Sequence, residues 1–440
     1  MSKPASSRVR WFLIFWLFVL SAVAFLDRVN ISIAGSSIAS EFGLSNIQLG
    51  WVFSSFLVGY AVFQTVGGWL ADRLGPRRVL TGGVLWWGIF TALTAAISSK
   101  DAGALFFFIT IRSLLGAGEA VMYPASNQFV ARWIPAGERG VANGIIFAGV
   151  GVGAGVTPPI ITFLMIQYGW RLSFWISAII GLLAGAVWYA TSRDTPEAHP
   201  RVSAVELRAI QAGRDLRLVS EGGEREFVSW VRILASKEVW ALTLSYFCYG
   251  YVAWIFFSWF YIYLKQARGL DLKASAIYGT LPFLAMAVGC PLGGAISDSL
   301  TRRYGKRLGR CGIAVVALGL TAVFLFVGSK AQNAQVASVV LAGGAGALYL
   351  SQSSFWSVTA DIAGGSSGSV SGFMNMGAQF GGAVTASLTP LLAARFGWIV
   401  SFYVAAGLAA AGAVAWLFVE PSAKLAVAEQ KTTLETRIEG

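Results

Sequence analysis

Two pairs of ionisable residues interrupt stretches that are otherwise apolar: Asp27 with Arg28, and Arg112 with Glu119 seven positions further on. A charge sunk in lipid costs several kcal/mol unless it is paired or wetted, so such residues are candidates for work on ions or charged cargo. Seven residues make almost two helical turns. Arg112 and Glu119 therefore share one face, about 10 Å apart along the axis, and Gly116 and Tyr123 continue that stripe. With both acids ionised the four charges cancel, and an added carboxylate would leave a negative charge uncompensated in a low dielectric. Protonating Asp27 or Glu119 removes that obstacle, so proton and anion favour each other's binding by reciprocal linkage. This is the chemistry of symport, and arginine's planar fork suits the anion. The competing reading is a static set of ion pairs between two helices.

The elements that hold these residues must be membrane helices. Apolar residues make up 56% of the 440 and charged ones 12%, against about a quarter charged in soluble proteins. Runs of about 20 apolar residues can cross a bilayer. Twelve are predicted, at Trp11–Ala34, Ile47–Leu70, Val79–Ile97, Leu105–Ala125, Val141–Met165, Leu172–Thr191, Trp240–Leu264, Ile277–Ile296, Cys311–Val327, Val336–Trp356, Ser369–Ala393 and Ile399–Val419. The runs are continuous rather than alternating, which predicts helices and not a barrel.

A net charge of +12 raises the question of a nucleic-acid partner, but its placement answers to membrane orientation instead. With the N-terminus inside, cytoplasmic segments hold 24 Lys/Arg, external loops 7 and the membrane 2, Arg28 and Arg112. Both termini are expected in the cytoplasm and the chain in the inner (plasma) membrane. The first apolar run is too long for a cleavable signal and lacks a small-residue cleavage site. Cys248, Cys290 and Cys311 have no metal-ligand spacing and read as small core residues.

The chain repeats itself. Tyr168-Gly169-Trp170, followed by Ser173-Phe174, recurs 228 residues later as Phe396-Gly397-Trp398, followed by Ser401-Phe402. At the same offset Gly140, Gly144, Gly149 and Gly153 fall on Gly368, Gly372, Gly377 and Gly381, while Gly67-Gly68 and Asp72 recur, two residues out of step, as Gly293-Gly294 and Asp298. The expected architecture is an all-α membrane protein of two six-helix bundles, 1–191 and 239–440, related by a pseudo-twofold axis and joined by a cytoplasmic linker, 192–238. Within the linker, Ser203-x-x-Glu206 is a capping box, and Val205, Leu207, Ile210 and Leu216 give an apolar face for a surface helix. His199, also there, reads as a solvated loop residue. The glycines from Gly144 to Gly155 are expected to serve close helix packing, with Pro158 and Pro159 permitting a bend.

Gly68-Trp69-Leu70-Ala71-Asp72-Arg73-Leu74-Gly75-Pro76-Arg77-Arg78 resembles the signature loop between helices 2 and 3 of the major facilitator superfamily. Its second copy, Gly294 to Lys306, is degenerate, with four extra residues between aspartate and glycine. The resemblance implies a gate in which Asp72, Arg73, Arg77 and Arg78 pair with neighbouring helix ends. Leu26-Asp27-Arg28-Val29-Asn30, Arg112 to Glu119, Gly372-Phe373-Met374-Asn375 running to Gly381-Gly382, and the aromatic seventh span are similar to the anion:cation symporter family. Bacterial members of that family carry sugar acids such as galactonate, glucarate and hexuronates. The resemblance implies Asp27 and Glu119 as proton sites, Arg28 and Arg112 as anchors for a substrate carboxylate, and Tyr60 and Asn375 as sugar-acid contacts.

Gln64, Tyr251, Trp254, Ser353, Ser354 and Gln379 are further candidates to complete a polar site, with helix packing as their alternative role. The expected function is proton-coupled symport of a small organic anion by alternating access, with protons as coupling ion and no other cofactor. Aldonate, aldarate, uronate, a tartrate-like acid and an aromatic carboxylate all remain open as cargo, as does anion exchange. The expected partners are that carboxylate and membrane lipid, with no nucleic acid, and the chain is expected to act as a monomer. Organophosphate exchange is disfavoured because no basic residue lies between Trp240 and Leu264. Drug:proton antiport is discouraged by two buried arginines, a sensor by the lack of a signalling domain, and catalysis by the absence of a nucleophile–base or metal cluster.

Overall fold

The computed structural model describes residues 8–44, 46–98, 103–212, 227–260, 263–264, 267–270 and 272–425. Its helices are α1 (Val9–Phe42), α2 (Asn46–Leu74), α3 (Pro76–Ala96), α4 (Ala104–Glu119), α5 (Met122–Trp133), α6 (Arg139–Tyr168), α7 (Trp170–Thr191), α8 (Ala204–Ala212), α9 (Trp230–Ala235) and α10 (Lys237–Ser258). They continue as α11 (Leu272–Tyr304), α12 (Ile313–Lys330), α13 (Ala334–Leu350), α14 (Gln352–Ala363), α15 (Ser367–Phe396) and α16 (Trp398–Ala415). Among the described residues there is no strand.

Among the described residues, eleven segments are long and apolar enough to cross a membrane. The 63-residue stretch Ala334–Phe396 counts as one of them, yet it turns at Gly364, whose φ of 51° is open to glycine, before α15 begins. It therefore contributes two passes, which brings the total to twelve. A single pass is also made by α4 and α5 together, Ala104–Trp133. Pro124 has no N–H to offer the Ala120 carbonyl, and the helix breaks there, immediately after Glu119.

The packing repeats in parallel. In the first half α1 lies along α6, α2 along α4 and α3 along α7; in the second α10 lies along α15, α11 along α13 and α12 along α16. Between the halves, α6 packs on α11 and α15 on α2. The matched glycines make these contacts possible. A Cβ on Gly140 or Gly144 would strike the backbone of Gly294 or Cys290, and one on Gly368 or Gly372 that of Gly68 or Gln64. Gly149 and Gly153 instead meet α1, as Gly377 and Gly381 meet α10. Each glycine series thus faces the other half at its start and its own half further on.

At the face where α1 begins, here called the terminal face, the linker is built into the bundle. Ser203 accepts from the Glu206 N–H at 3.2 Å, but the Glu206 carboxylate turns away to accept from the Val9 and Arg10 N–H groups at 3.2 and 3.1 Å. It caps α1. Ile210 is buried, and Leu216 lies outside the described residues. His199 is not a solvated residue: it is buried, its Nε2 lies 2.9 Å from the Thr191 carbonyl, its Nδ1 accepts from the Arg201 N–H, and its ring meets Trp133 edge-on. Packing of the linker against the end of α7 covers it. All three cysteines are buried.

Candidate transport site

Arg28 is the cation at the centre of the molecule. It rises from α1 into a cavity between the halves. Its Nε donates to both carboxylate oxygens of Glu119, at 3.2 and 3.1 Å, and Glu119 itself is fully buried at the end of α4. The guanidinium carbon lies 4.3 Å from the Tyr60 ring centroid and 4.7 Å from that of Phe25, a cation–π arrangement that strengthens as water is removed. One amino group, Nη2, is buried without a protein partner.

Asp27 and Arg112 lie behind this pair. Successive residues on a helix point about 100° apart, so Asp27 turns away from the cavity while Arg28 enters it. Asp27 is buried, and neither of its oxygens has a hydrogen-bond partner; Glu119, Arg112, Arg28 and the Thr91 hydroxyl are its electrostatic neighbours. Arg112 is 2% exposed, with Nε and Nη1 unpartnered and its guanidinium 5.0 Å from the Phe56 ring. It does not line the cavity, whereas Arg28 does. Phe56 stands beside both guanidinium groups.

Of the other candidates, Tyr60, Trp254, Asn375 and Gln379 line the cavity. Gln64 stands one layer back, where its Oε1 accepts from Asn375 Nδ2 at 2.9 Å and so orients that amide. Three candidates miss the cavity. Tyr251 is fully buried beside α15, where its carbonyl accepts from Thr385; Ser353 donates to the Cys290 carbonyl at 3.2 Å; Ser354 is buried away from the lining. All three lie on the packing faces of their helices.

The remaining lining was not singled out from sequence. Tyr246, Tyr249, Tyr349 and Gln352 form a phenol-and-amide wall opposite Arg28. Tyr246 Oη accepts from Gln352 Nε2 at 2.8 Å and from Trp356 Nε1 at 3.0 Å, which leaves its own hydrogen to be donated. Tyr123, noted only as continuing the Arg112 stripe, stacks on Phe147 with centroids 4.7 Å apart and shares a hydrogen bond with Ser21. Phe25 and Phe257, from opposite halves, are in ring contact at 5.7 Å.

The terminal face below the cavity is shut by two related latches. Asp72 Oδ1 accepts from the Gly368 N–H at 2.9 Å, and Oδ2 accepts from the Ser369 N–H and hydroxyl at 2.8 and 2.5 Å. Asp298 does the same to the other half, accepting from the N–H groups of Gly140 and Val141 at 3.0 and 2.7 Å. Each aspartate thereby caps a helix across the interface, where the exposed N–H groups and helix dipole favour a carboxylate. Arg139 and Asp361 join α6 to α14 at 2.5 Å. Arg73 lies over the rings of Trp69 and Phe227. Arg77 donates to the Tyr189 carbonyl near the end of α7, within its own half, while Arg78 is exposed.

Twelve passes, two repeated bundles and a buried cation facing a central cavity define a multi-pass membrane transporter. The chain belongs to the Major Facilitator Superfamily, whose model matches residues 17–386 and again 303–438. It is 35% identical to a "Probable sulfoacetate transporter" of Cupriavidus necator over 91% of both chains. To the "Hexuronate transporter" of Bacillus subtilis it is 30% identical, covering 93% of this chain and 94% of that one. To the "Probable galactarate/D-glucarate transporter" of the same species it is 31% identical over 68% of each. Among solved structures, the proton:xylose symporter XylE bound to 6-bromo-6-deoxy-D-glucose superposes with a TM-score of 0.75 at 17% identity, covering 94% of this chain and 97% of that one. FucP in the outward conformation gives 0.69 at 16% identity, covering 93% and 99%. The protein is a transporter of this fold and not an enzyme.

Proposed function

We propose that this protein is a proton-coupled symporter that brings a small organic anion, of the sugar-acid kind, into the cytoplasm. The observation that carries this reading is the Arg28–Glu119 pair: one arginine faces both a buried acid and the cavity. While Glu119 is ionised it neutralises Arg28. Once protonated, it leaves the guanidinium charge to a substrate carboxylate, for which the unpartnered Nη2 is an available donor. Asp27 is the second proton site, in electrostatic reach of Arg112 and Glu119. Tyr60, Asn375, Gln379 and Trp254 contact the cargo, Gln64 holds Asn375 in place, and Arg112 acts on Asp27 and Glu119 rather than on the anion.

The sugar-acid class is supported by relatives named for hexuronate and for galactarate or D-glucarate, and coupling to protons by the likeness to a proton:xylose symporter. An excess of Lys and Arg in the segments on the terminal side supports a cytoplasmic location for both termini, with the chain in the inner (plasma) membrane. With Asp72 and Asp298 engaged, that face is closed. Substrate and protons enter from the opposite side, the bundles 1–191 and 239–440 rock about the central site, and the two caps part to release cargo inward. The chain works as a monomer, with protons as its coupling ion.

The test is uptake into proteoliposomes from a panel of labelled aldonates, uronates and aldarates, with and without an inward proton gradient. Accumulation that needs the gradient supports symport, whereas equal exchange without one would replace it by antiport.

A further inference from the structure

The far wall of the cavity differs from the near one in a way that selects among anions. At the near end Arg28 supplies a positive charge; among the described lining residues it is the only Lys, Arg or His. Facing it, Tyr246, Tyr249, Tyr349, Gln352 and Gln379 present phenol hydroxyls and side-chain amides. Two of these polar atoms are buried and have no protein partner: Gln352 Oε1 and Gln379 Oε1. Tyr246 is already an acceptor from two N–H groups, which leaves its own O–H to donate. Arg112, the other intramembrane guanidinium of this half, is kept out of the cavity beside Phe56.

Such a wall pairs with hydroxyls, which both donate and accept, and it cannot neutralise a second carboxylate. The amide oxygens repel an anion, and an ionised group left there without a counter-charge carries a large desolvation penalty. We infer that the carrier selects monoanions, with one carboxylate held at Arg28 and an uncharged, hydroxyl-bearing far end, and that it rejects dianions of the same length. Resting on the organic-anion reading above, this narrows the cargo to the aldonate and uronate class and excludes aldarates and sulfonated carboxylates.

Matched pairs that differ only at the far end test it. Binding of gluconate against glucarate, and of galacturonate against galactarate, is measured on the detergent-purified protein at pH 7.5, where both carboxylates of the diacids are ionised. Thermal stabilisation and competition are the readouts, and no proton gradient is needed. The monoacid of a pair is expected to bind at least about tenfold tighter. Gln379→Arg, or Gln352→Lys should that variant be unstable, places a cation on the far wall and is expected to shift the preference about tenfold toward glucarate. A diacid that binds the unaltered protein as well as its monoacid partner overturns the inference while leaving the organic-anion reading intact. If no member of either pair binds, the inference and the sugar-acid reading are both overturned.

Discussion

Arg310 donates to Asp298 at 2.6 Å and, through its other amino group, to the Ala136 carbonyl of the opposite half at 2.8 Å. Asp72, the counterpart of Asp298, is held differently, by three hydrogen bonds from Gly368 and Ser369. The two latches share a geometry but not a chemistry. Arg310 sits in the π-helical turn Arg307–Gly312, just beyond the longer loop of the second copy.

The two aspartates are therefore expected to respond differently to loss of charge. Asp72→Asn keeps one acceptor and loses part of a helix cap, about 1 kcal/mol, so the protein should fold and shift toward the inward-open form. Labelling of a cysteine introduced beneath the latch, read from the terminal side, should rise. Asp298→Asn takes the nearer carboxylate from Arg310, which is fully buried and keeps only Asp361, at 4.0 Å, as an ion-pair partner, at a cost of up to about 3–5 kcal/mol. Protein yield and thermal stability should drop sharply.

Arg28→Lys and Arg112→Lys separate anchoring from positioning. Lysine cannot donate to Glu119 and to a carboxylate from one planar fork. Arg28→Lys should weaken substrate binding by about tenfold or more. Arg112→Lys should leave affinity within about threefold and impair pH-driven accumulation instead, because Arg112 reaches the acids and not the cavity. Equilibrium binding and driven uptake, measured on the same preparations, distinguish the two.

Glu119→Gln mimics the protonated acid and should uncouple transport. Exchange of substrate across the membrane should persist, accumulation driven by a pH gradient should be impaired, and substrate affinity should depend less steeply on pH, with Asp27 left as the titrating acid. The unaltered protein binds substrate together with a proton. Its affinity should be highest at acid pH and fall, by up to about tenfold per pH unit, as pH rises through the titration of the coupling acid. Flat affinity between pH 5 and 8 would remove Glu119 and Asp27 from the coupling step.

Glu206→Ala removes the carboxylate that caps the start of α1. The loss should be about 1 kcal/mol, visible as a small fall in melting temperature with substrate affinity unchanged. Glu206→Gln, which keeps one acceptor oxygen, should recover part of it.

Much of the site was legible in the chain itself where a physical rule tied residue type to place. Arg28 and Glu119 stand out because ionisable groups in an apolar run demand a partner, and the seven-residue interval put Glu119 on the Arg112 stripe. The interface followed from the repeat: Gly140 and Gly368 are 228 residues apart and both receive an aspartate of the other half. The rotation of each helix about its axis could not be read in this way. On α10 the face that lines the cavity is Tyr246, Tyr249, Gly250, Ala253, Trp254 and Phe257, a spacing of three and four. Tyr251 falls off that face, and anchoring the period on Trp254 would have found Tyr246 and Tyr249 in its place.

By itself the amino-acid sequence determined the number of passes, the duplication and the identity of the intramembrane charges, because each is dictated by lipid solvation or by a repeated local pattern. The tertiary structure alone decided that Arg28 enters the cavity while Arg112 stays behind Phe56, that Glu206 and His199 pack into the bundle, and that phenols and amides face the guanidinium. Those outcomes depend on which side of each helix meets a neighbour, and every side of a membrane helix is apolar enough to leave that choice to packing.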